Sequence, residues 1–310
     1  MIVNAQNLVK RYGELVALDR FTLQVEKGEI LGLLGPNGSG KTTAINCILS
    51  LLEYDRGTIE LFGEPMRPDA YDLKRQIGVV MQEVAVFDEL TVQENIDYFC
   101  GLYVPDKKQR RALVEDAIAF TGLQDHRKFR PKKLSGGLLR RLNIACGIAH
   151  RPRLIFFDEP TVAVDPQSRN NILEGIKKLN REGATVVYTS HYMEEVEQLC
   201  SRIMIMDQGR TIAAGTKEEL KAMIGASEKI TVELLQPHPE LIAELSHQPF
   251  AQNVSLHENR LTIHCRSGEH NLLDVMDYFR STRIEFGSVY SEPPTLNDVF
   301  LEITGKHLRD

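Results

Sequence analysis

Gly35-Pro-Asn-Gly-Ser-Gly-Lys41-Thr42-Thr43 lies between two apolar runs, Glu29-Ile-Leu-Gly-Leu-Leu34 before it and Ala44-Ile-Asn-Cys-Ile-Leu-Ser-Leu51 after it. The first reads as a buried strand and the second as a helix, so the stretch fits G-x-x-x-x-G-K-[ST] at a strand-to-helix turn. Glycines let the backbone wrap closely around an anion, and the free N–H groups of the first helical turn point at it. Lys41 is placed to reach the terminal phosphates of a nucleoside triphosphate, and Thr42 to offer a hydroxyl to Mg²⁺. A chance glycine-rich turn ending in a surface lysine would not require a strand and a helix in these places.

Two further stretches bear on what the triphosphate is used for. Leu134-Ser135-Gly136-Gly137 opens an apolar, arginine-bearing segment that runs to Ala149. A serine and two glycines at a helix start offer a hydroxyl and bare N–H groups to an anion, although alone such a triplet is usually only a cap. Arg153-Leu-Ile-Phe-Phe157-Asp158-Glu159-Pro160 is an apolar strand ending in two carboxylates. An unpaired buried carboxylate costs several kcal/mol, so Asp158 needs a cation or strong donors, and nucleotide-bound Mg²⁺ would be such a cation.

The order of these motifs resembles the ATP-binding subunits of ABC transporters. Gly35 to Thr42 matches the Walker A loop, Leu134 to Gly137 the signature, and Leu154 to Asp158 the Walker B strand. Gln82 in Val79-Val-Met-Gln82 matches the Q-loop, His191 in Tyr188-Thr-Ser-His191 the H-loop, and Tyr12 the aromatic residue that stacks on adenine. Outside this context Gln82 is any polar strand end, His191 a turn residue and Tyr12 a cover for a sheet edge. The resemblance spans residues 1 to about 222, and other P-loop classes such as kinases and small GTPases lack a signature and an H-loop.

The resemblance implies a site with named parts. ATP is contacted by Tyr12 and by Gly35, Pro36, Asn37, Gly38, Ser39, Gly40, Lys41, Thr42 and Thr43. Mg²⁺ is held by Thr42 and Gln82, with Asp158 acting through water. Glu159 is the candidate general base, and His191 positions the water and the γ-phosphate. Ser135, Gly136 and Gly137 contact the ATP of a second protomer, Asp165 makes a cross-dimer contact, and two ATP molecules are sandwiched between two subunits. Two positions depart from the common pattern. Leu138 stands where a glutamine usually follows the signature, and Thr161-Val-Ala-Val164 precedes Asp165 in place of Ser-Ala-Leu.

The composition fits a cytoplasmic enzyme of two domains: 310 residues, 42% hydrophobic, net charge −6, five scattered cysteines. No run is long and apolar enough for a membrane span and the start lacks signal-peptide regions, so a separate transmembrane permease is expected at the inner face of the plasma membrane. The acidic balance argues against nucleic acid as a partner, and the basic group Arg127, Lys128, Arg130, Lys132 and Lys133 reads as a solvated loop.

Periodicity predicts an α/β P-loop cassette in residues 1–222: a strand-rich start, a mostly parallel core sheet and a helical subdomain at about 84–140. Residues 223–310 read as a small α+β accessory domain. Its last segment, from Pro294 to Gly305, begins with a capping box at Thr295 and Asp298 and places Leu296, Val299, Phe300 and Ile303 on one apolar helix face. This tail resembles the ends of daunorubicin- and linearmycin-type resistance ATPases. The resemblance therefore implies an ATPase that drives export of an antibiotic, drug or lipid-like compound. The alternative is a soluble ABC ATPase in translation, repair or cofactor assembly.

Overall fold

In the computed structural model, residues 1–162, 164–223, 226–266 and 270–304 are described. The first part of the chain contains β1 (Val3–Tyr12), β2 (Leu15–Val25), β3 (Ile30–Leu34), α1 (Lys41–Ile48), β4 (Arg56–Leu61), β5 (Glu64–Pro65), α2 (Tyr71–Lys74) and β6 (Ile77–Val80). Helices α3 (Val92–Gly101), α4 (Lys107–Thr121) and α5 (Gly136–Ile148) follow. The chain then alternates through β7 (Leu154–Asp158), α6 (Pro166–Arg181), β8 (Thr185–Ser190), α7 (Met193–Leu199), β9 (Arg202–Asp207) and β10 (Arg210–Gly215).

The central sheet has the order β10-β9-β3-β8-β7-β6, and β3–β9, β3–β8, β7–β8 and β6–β7 are parallel pairs. Every residue of β3, β7 and β8 is buried, which is why these strands read as nearly continuous apolar runs. A second, antiparallel sheet has the order β2-β1-β4-β5. The two sheets share one core, in which Phe21 and Leu23 of the antiparallel sheet meet Ile45 and Ile48 of α1 and Leu31 and Phe156 of the parallel one. Fully burying side chains of this kind stabilises by about 1.5–3 kcal/mol each.

The segment between β6 and β7 is helical, as its periodicity predicts, and it holds a core of its own around Ile96, Ile118 and Leu142. Thr91 and Glu94 form a capping box at the start of α3, and Asp106 caps α4. Helix α5 lies directly on β6. A Cβ on Gly78 would stand 2.6 Å from the Gly147 carbonyl oxygen, and one on Gly147 would stand 2.7 Å from that of Val79. Only this pair of glycines lets helix and strand approach so closely.

Packing divides the chain at Ala214/Gly215. The second unit comprises α8 (Lys217–Met223), β11 (Ala226–Leu234), α9 (Leu241–Ser246), β12 (Ala251–His257), β13 (Arg260–Arg266), α10 (Asn271–Thr282), β14 (Phe286–Glu292) and α11 (Leu296–Thr304). Its sheet has the order β12-β13-β11-β14 with every pair antiparallel. With α9 and α10 as crossovers, this is the ferredoxin-like split βαβ arrangement. Ile230, Val232, Ile263, Val275 and Phe279 fill its core. Strands and helices are both present, as the α+β reading of this region expects, although short exposed elements such as α8, α9 and β12 carry little periodicity.

The Thr295–Asp298 capping box forms: Asp298 N–H donates to Thr295 Oγ1 at 3.3 Å, and Thr295 N–H to Asp298 Oδ2 at 2.7 Å. Leu296, Val299 and Phe300 are buried as expected. Ile303 is not: at 38% exposure it lies beyond the packed stripe, one turn past Phe300, where α11 is about to end. Gly305 and the residues after it lie outside the described residues. Among the described residues, no helix is long and apolar enough to cross a membrane. All five cysteines are unpaired and buried, and burial pushes the Cys47 and Cys100 thiols up to about 11, away from thiolate reactivity.

Candidate functional site

Four adjacent strands of the parallel sheet deliver chemistry at their C-terminal ends. β3 runs into the glycine loop, β8 ends before His191, β7 ends in Asp158 and β6 is followed by Gln82. Parallel order forces all four ends to one edge, which is where open α/β sheets bind ligands. A cleft of about 860 Å³ opens there, lined by Tyr12, Asn37, Gly38, Gly40, Lys41, Thr42, Thr43, Gln82 and Glu159, together with Leu15–Ala17, Asp19 and Asp207–Ile212 except Thr211.

The loop between β3 and α1 is built for close backbone approach. Gly40 caps α1 at φ 106, and a Cβ there would lie 2.6 Å from the Ala17 carbonyl oxygen. Ser39 Oγ is buried with no hydrogen-bond partner among the described residues, an available group in a loop whose N–H groups suit an anion. Lys41 is only 5% exposed. Its Nζ donates to the carbonyl oxygens of Gly35 at 2.8 Å and Pro36 at 3.1 Å, and stands 3.3 Å from Glu159 Oε1. Burial lowers the Lys41 pKa from its ordinary value, and the facing Glu159 carboxylate opposes that shift. An anionic ligand would therefore meet a desolvated ammonium group whose resting partners are two carbonyls and Glu159.

Asp158 and Glu159 are set by β8. In register, Asp158 pairs with Thr189. Thr189 Oγ1 donates to Asp158 Oδ1 at 2.6 Å, and Thr42 Oγ1 to Asp158 Oδ2 at 2.8 Å. A threonine hydroxyl and a carboxylate in contact, with the Gln82 amide in the same cleft, are the hard oxygen donors that suit Mg²⁺. Glu159 has φ 48, a strained conformation for a residue with a side chain. Its N–H donates to Thr189 O at 3.2 Å and Oγ1 at 3.0 Å, which holds that turn. His191 Nδ1 is 3.2 Å from Glu159 Oε2.

Ser135, Gly136 and Gly137 do not line this cleft. Ser135 caps α5, accepting from the Leu138 N–H at 3.3 Å. Leu138 packs on the apolar core of the helical segment, so the residue in place of the usual glutamine serves packing. Asp165 caps α6 and accepts from the Ser168 N–H at 2.9 Å, a bond that holds its carboxyl below the usual range. A Cβ on Gly137 would meet Ser168 Oγ at 2.9 Å and Asp165 Oδ2 at 3.3 Å, so Asp165 and the signature glycines are neighbours. The expected site residues thus form two clusters, one in the cleft and one at the paired starts of α5 and α6.

Several residues that hold the site carried no signal in the sequence. Thr189 bonds the Asp158 carboxylate through its hydroxyl and holds the Glu159 turn through that residue's N–H. Glu195, 3% exposed, accepts from the hydroxyls of Thr161 (2.8 Å), Tyr188 (2.7 Å) and Ser190 (3.1 Å), and pairs with Arg169 at 3.1 Å. It ties the segments that follow Glu159 and precede His191 to the first turns of α6. Arg140, in α5, reaches the backbone on the far side of Glu159. A helix i,i+4 pattern identifies none of these, because each acts between segments distant in sequence.

The family model described as ABC transporter matches residues 18–162, and that of the ATP-binding protein DrrA1-3-like C-terminal domain matches residues 215–304. The linearmycin resistance ATP-binding protein LnrL of Bacillus subtilis is 36% identical over 311 aligned positions, covering 100% of both chains. The daunorubicin resistance ATP-binding protein DrrA3 of Streptomyces coeruleorubidus is 35% identical, covering 97% of this chain and 95% of its own. A Nod factor export ATP-binding protein I of Burkholderia thailandensis is 34% identical, with 99% and 98% covered. Among solved structures, an ATP-binding subunit of an ABC transporter superposes with TM-score 0.67 at 25% identity, covering 73% of this chain and 94% of that one. A dimeric bacterial ABC transporter cassette, MJ0796, gives 0.64 at 28% identity, with 69% and 98% covered. Identity of this extent along whole chains carries membership with it: the chain belongs to the ATP-binding subunits of ABC transporters and is an ATPase.

Proposed function

We propose that this chain works as an ATP-sandwich dimer beneath a separate membrane permease and powers export of an antibiotic, drug or lipid-like compound. The observation that carries the dimer is the division of the site: the cleft holds phosphate-binding and catalytic groups, while Ser135–Gly137 stand apart at the start of α5. A second copy would bring its own Ser135–Gly137 over the open side of the cleft. Export of such compounds is supported by relatives named for linearmycin resistance, daunorubicin resistance and Nod factor export, each matched along nearly its full length.

The contacts within the cleft support the following roles. Tyr12, half exposed at the cleft rim, stacks on the adenine, an interaction of about 1–3 kcal/mol. The N–H groups from Gly35 to Thr43 and the Lys41 ammonium hold the phosphates. Thr42 and Gln82 would hold Mg²⁺, with Asp158 acting through water, and the ion would supply positive charge to the nucleotide's phosphates. Glu159 takes the proton of the attacking water, and His191 fixes the orientation of that carboxylate through the 3.2 Å contact. Lys41 now rests on Glu159 and two carbonyls, so phosphate entry draws it away and frees the base. ATP moves the permease only through its different affinities for open and closed dimers. The chain accordingly sits on the inner face of the plasma membrane when its permease is present.

Ser135→Arg tests the sandwich. The variant should load ATP as a monomer yet fail to close into an ATP-dependent homodimer, read by size-exclusion chromatography with light scattering. Normal closure would remove Ser135–Gly137 from the shared interface. Export is tested in cells. A strain lacking the gene should become more sensitive to at least one amphipathic antibiotic or toxic lipid-like compound, and the protein should fractionate with membranes only beside its permease. Unchanged susceptibility, with the protein soluble beside every candidate permease, would favour a non-transport ATPase.

A further inference from the structure

Arg140 is 4% exposed, and its whole donor fork is spent on backbone carbonyls. Nε donates to Pro160 O at 2.7 Å, Nη1 to Met81 O at 3.0 Å and Gln82 O at 2.6 Å, and Nη2 to Glu159 O at 2.5 Å and Asp158 O at 3.5 Å. One guanidinium therefore joins the segment leaving β6 to the strained turn that presents Glu159. Asn143, three residues on and hence on the same face of α5, adds to the first of these joints. Its Nδ2 donates to Met81 O at 3.3 Å, and its Oδ1 accepts from Ala85 N–H at 3.2 Å, so both ends of the Gln82 segment hang on α5.

Ser135–Gly137 open the same helix three to five residues before Arg140, about 4.5–7.5 Å away along its axis at 1.5 Å per residue. Gly78 and Gly147 bring helix and sheet close enough for the fork to reach. Glu159 is held at φ 48 from both sides, by Thr189 at its N–H and by Arg140 at its C=O. A shift of α5 cannot leave either Gln82 or Glu159 in place.

We propose that Arg140 is the positioning residue through which the signature helix sets the catalytic carboxylate of its own subunit. When Ser135–Gly137 engage the nucleotide of the partner, α5 settles, and Arg140 carries that placement to Glu159 and Gln82. Hydrolysis in one subunit is thereby tied to occupancy of the other. Arginine is required because a planar fork addresses carbonyls in several directions, whereas a lysine ammonium is a single point. The inference rests on the roles given above to Glu159 and Ser135–Gly137.

The test compares the purified full-length parent with Arg140→Lys, Glu159→Gln and the double variant. Arg140→Lys should lower kcat by about 10²-fold, as a misplaced base does, with KM and ATP affinity of the monomer close to the parent's. In the Glu159→Gln background the same substitution should cost much less than in the parent, because the larger part of its effect acts through the carboxylate already removed. Asn143→Ala keeps Arg140 and should lower kcat with unchanged ATP affinity; it serves as the readout should Arg140→Lys not fold. Parent-level kcat in Arg140→Lys, or an equal further loss in the double variant, would overturn the proposal. Parent-level turnover in Glu159→Gln alone would instead overturn the assignment of the base, so the two failures are distinguishable.

Discussion

Glu159→Gln should bind ATP and close into a stable ATP-bound dimer while steady-state hydrolysis falls by about 10²–10⁴-fold, the range a positioned general base contributes. The amide is nearly the same size and keeps an oxygen for His191, which stands 3.2 Å from the carboxylate, so the turn at φ 48 should survive. What is lost is a group able to take a proton from water. The substitution also removes a negative charge 3.3 Å from Lys41 and beside the phosphate loop, so nucleotide affinity should hold or rise. Phosphate release gives the turnover, and chromatography with ATP and Mg²⁺ gives the dimer. Near-normal turnover would take Glu159 out of the role of base.

Lys41→Ala should fail one step earlier. A hydrogen bond to a charged group is worth about 1.5–3 kcal/mol, so losing the Lys41 contact to phosphate should weaken ATP binding roughly 10- to 150-fold. The resting contacts add a second effect. Lys41 is the cation beside the buried Glu159 carboxylate, and without it that charge faces the incoming triphosphate. The loss should therefore be smaller when Lys41→Ala is made in the Glu159→Gln background, a coupling that a double-mutant cycle of ATP affinities measures. Affinity within experimental error of the parent would remove Lys41 from phosphate binding, and strict additivity would mean that the 3.3 Å pair has no influence on nucleotide entry.

Much of the cleft was legible because its chemistry is local. Gly35 to Thr43 is one strand-to-helix turn, and the need for glycine at Gly40, for a cation at Lys41 and for a hydroxyl at Thr42 arises within that turn. Asp158 was legible as the polar end of an apolar strand. The helical segment between β6 and β7 followed from its apolar spacing, whereas its caps at Thr91 and Asp106 emerged only in the structure. The tail helix followed in the same way up to Phe300, and Ile303 shows the limit: periodicity says which residues share a face, but not where the partner surface ends.

The amino-acid order by itself determined which groups exist and which strand ends carry them, because a buried strand and a capped helix leave local patterns of period and polarity. Tertiary structure alone decided how those groups meet. The parallel register of β7 and β8 sets Thr189 beside Asp158, 31 residues away in the chain, and no local pattern encodes that pairing. Arg140 looked like one of several arginines on a helix until close packing of Gly78 and Gly147 brought its fork to Gln82 and Glu159. The same holds for Ser135–Gly137: the motif is written in sequence, but its place outside the cleft is a consequence of where α5 docks. The physical reason is common to all three, since burial and hydrogen-bond satisfaction are settled between segments only after the chain has folded.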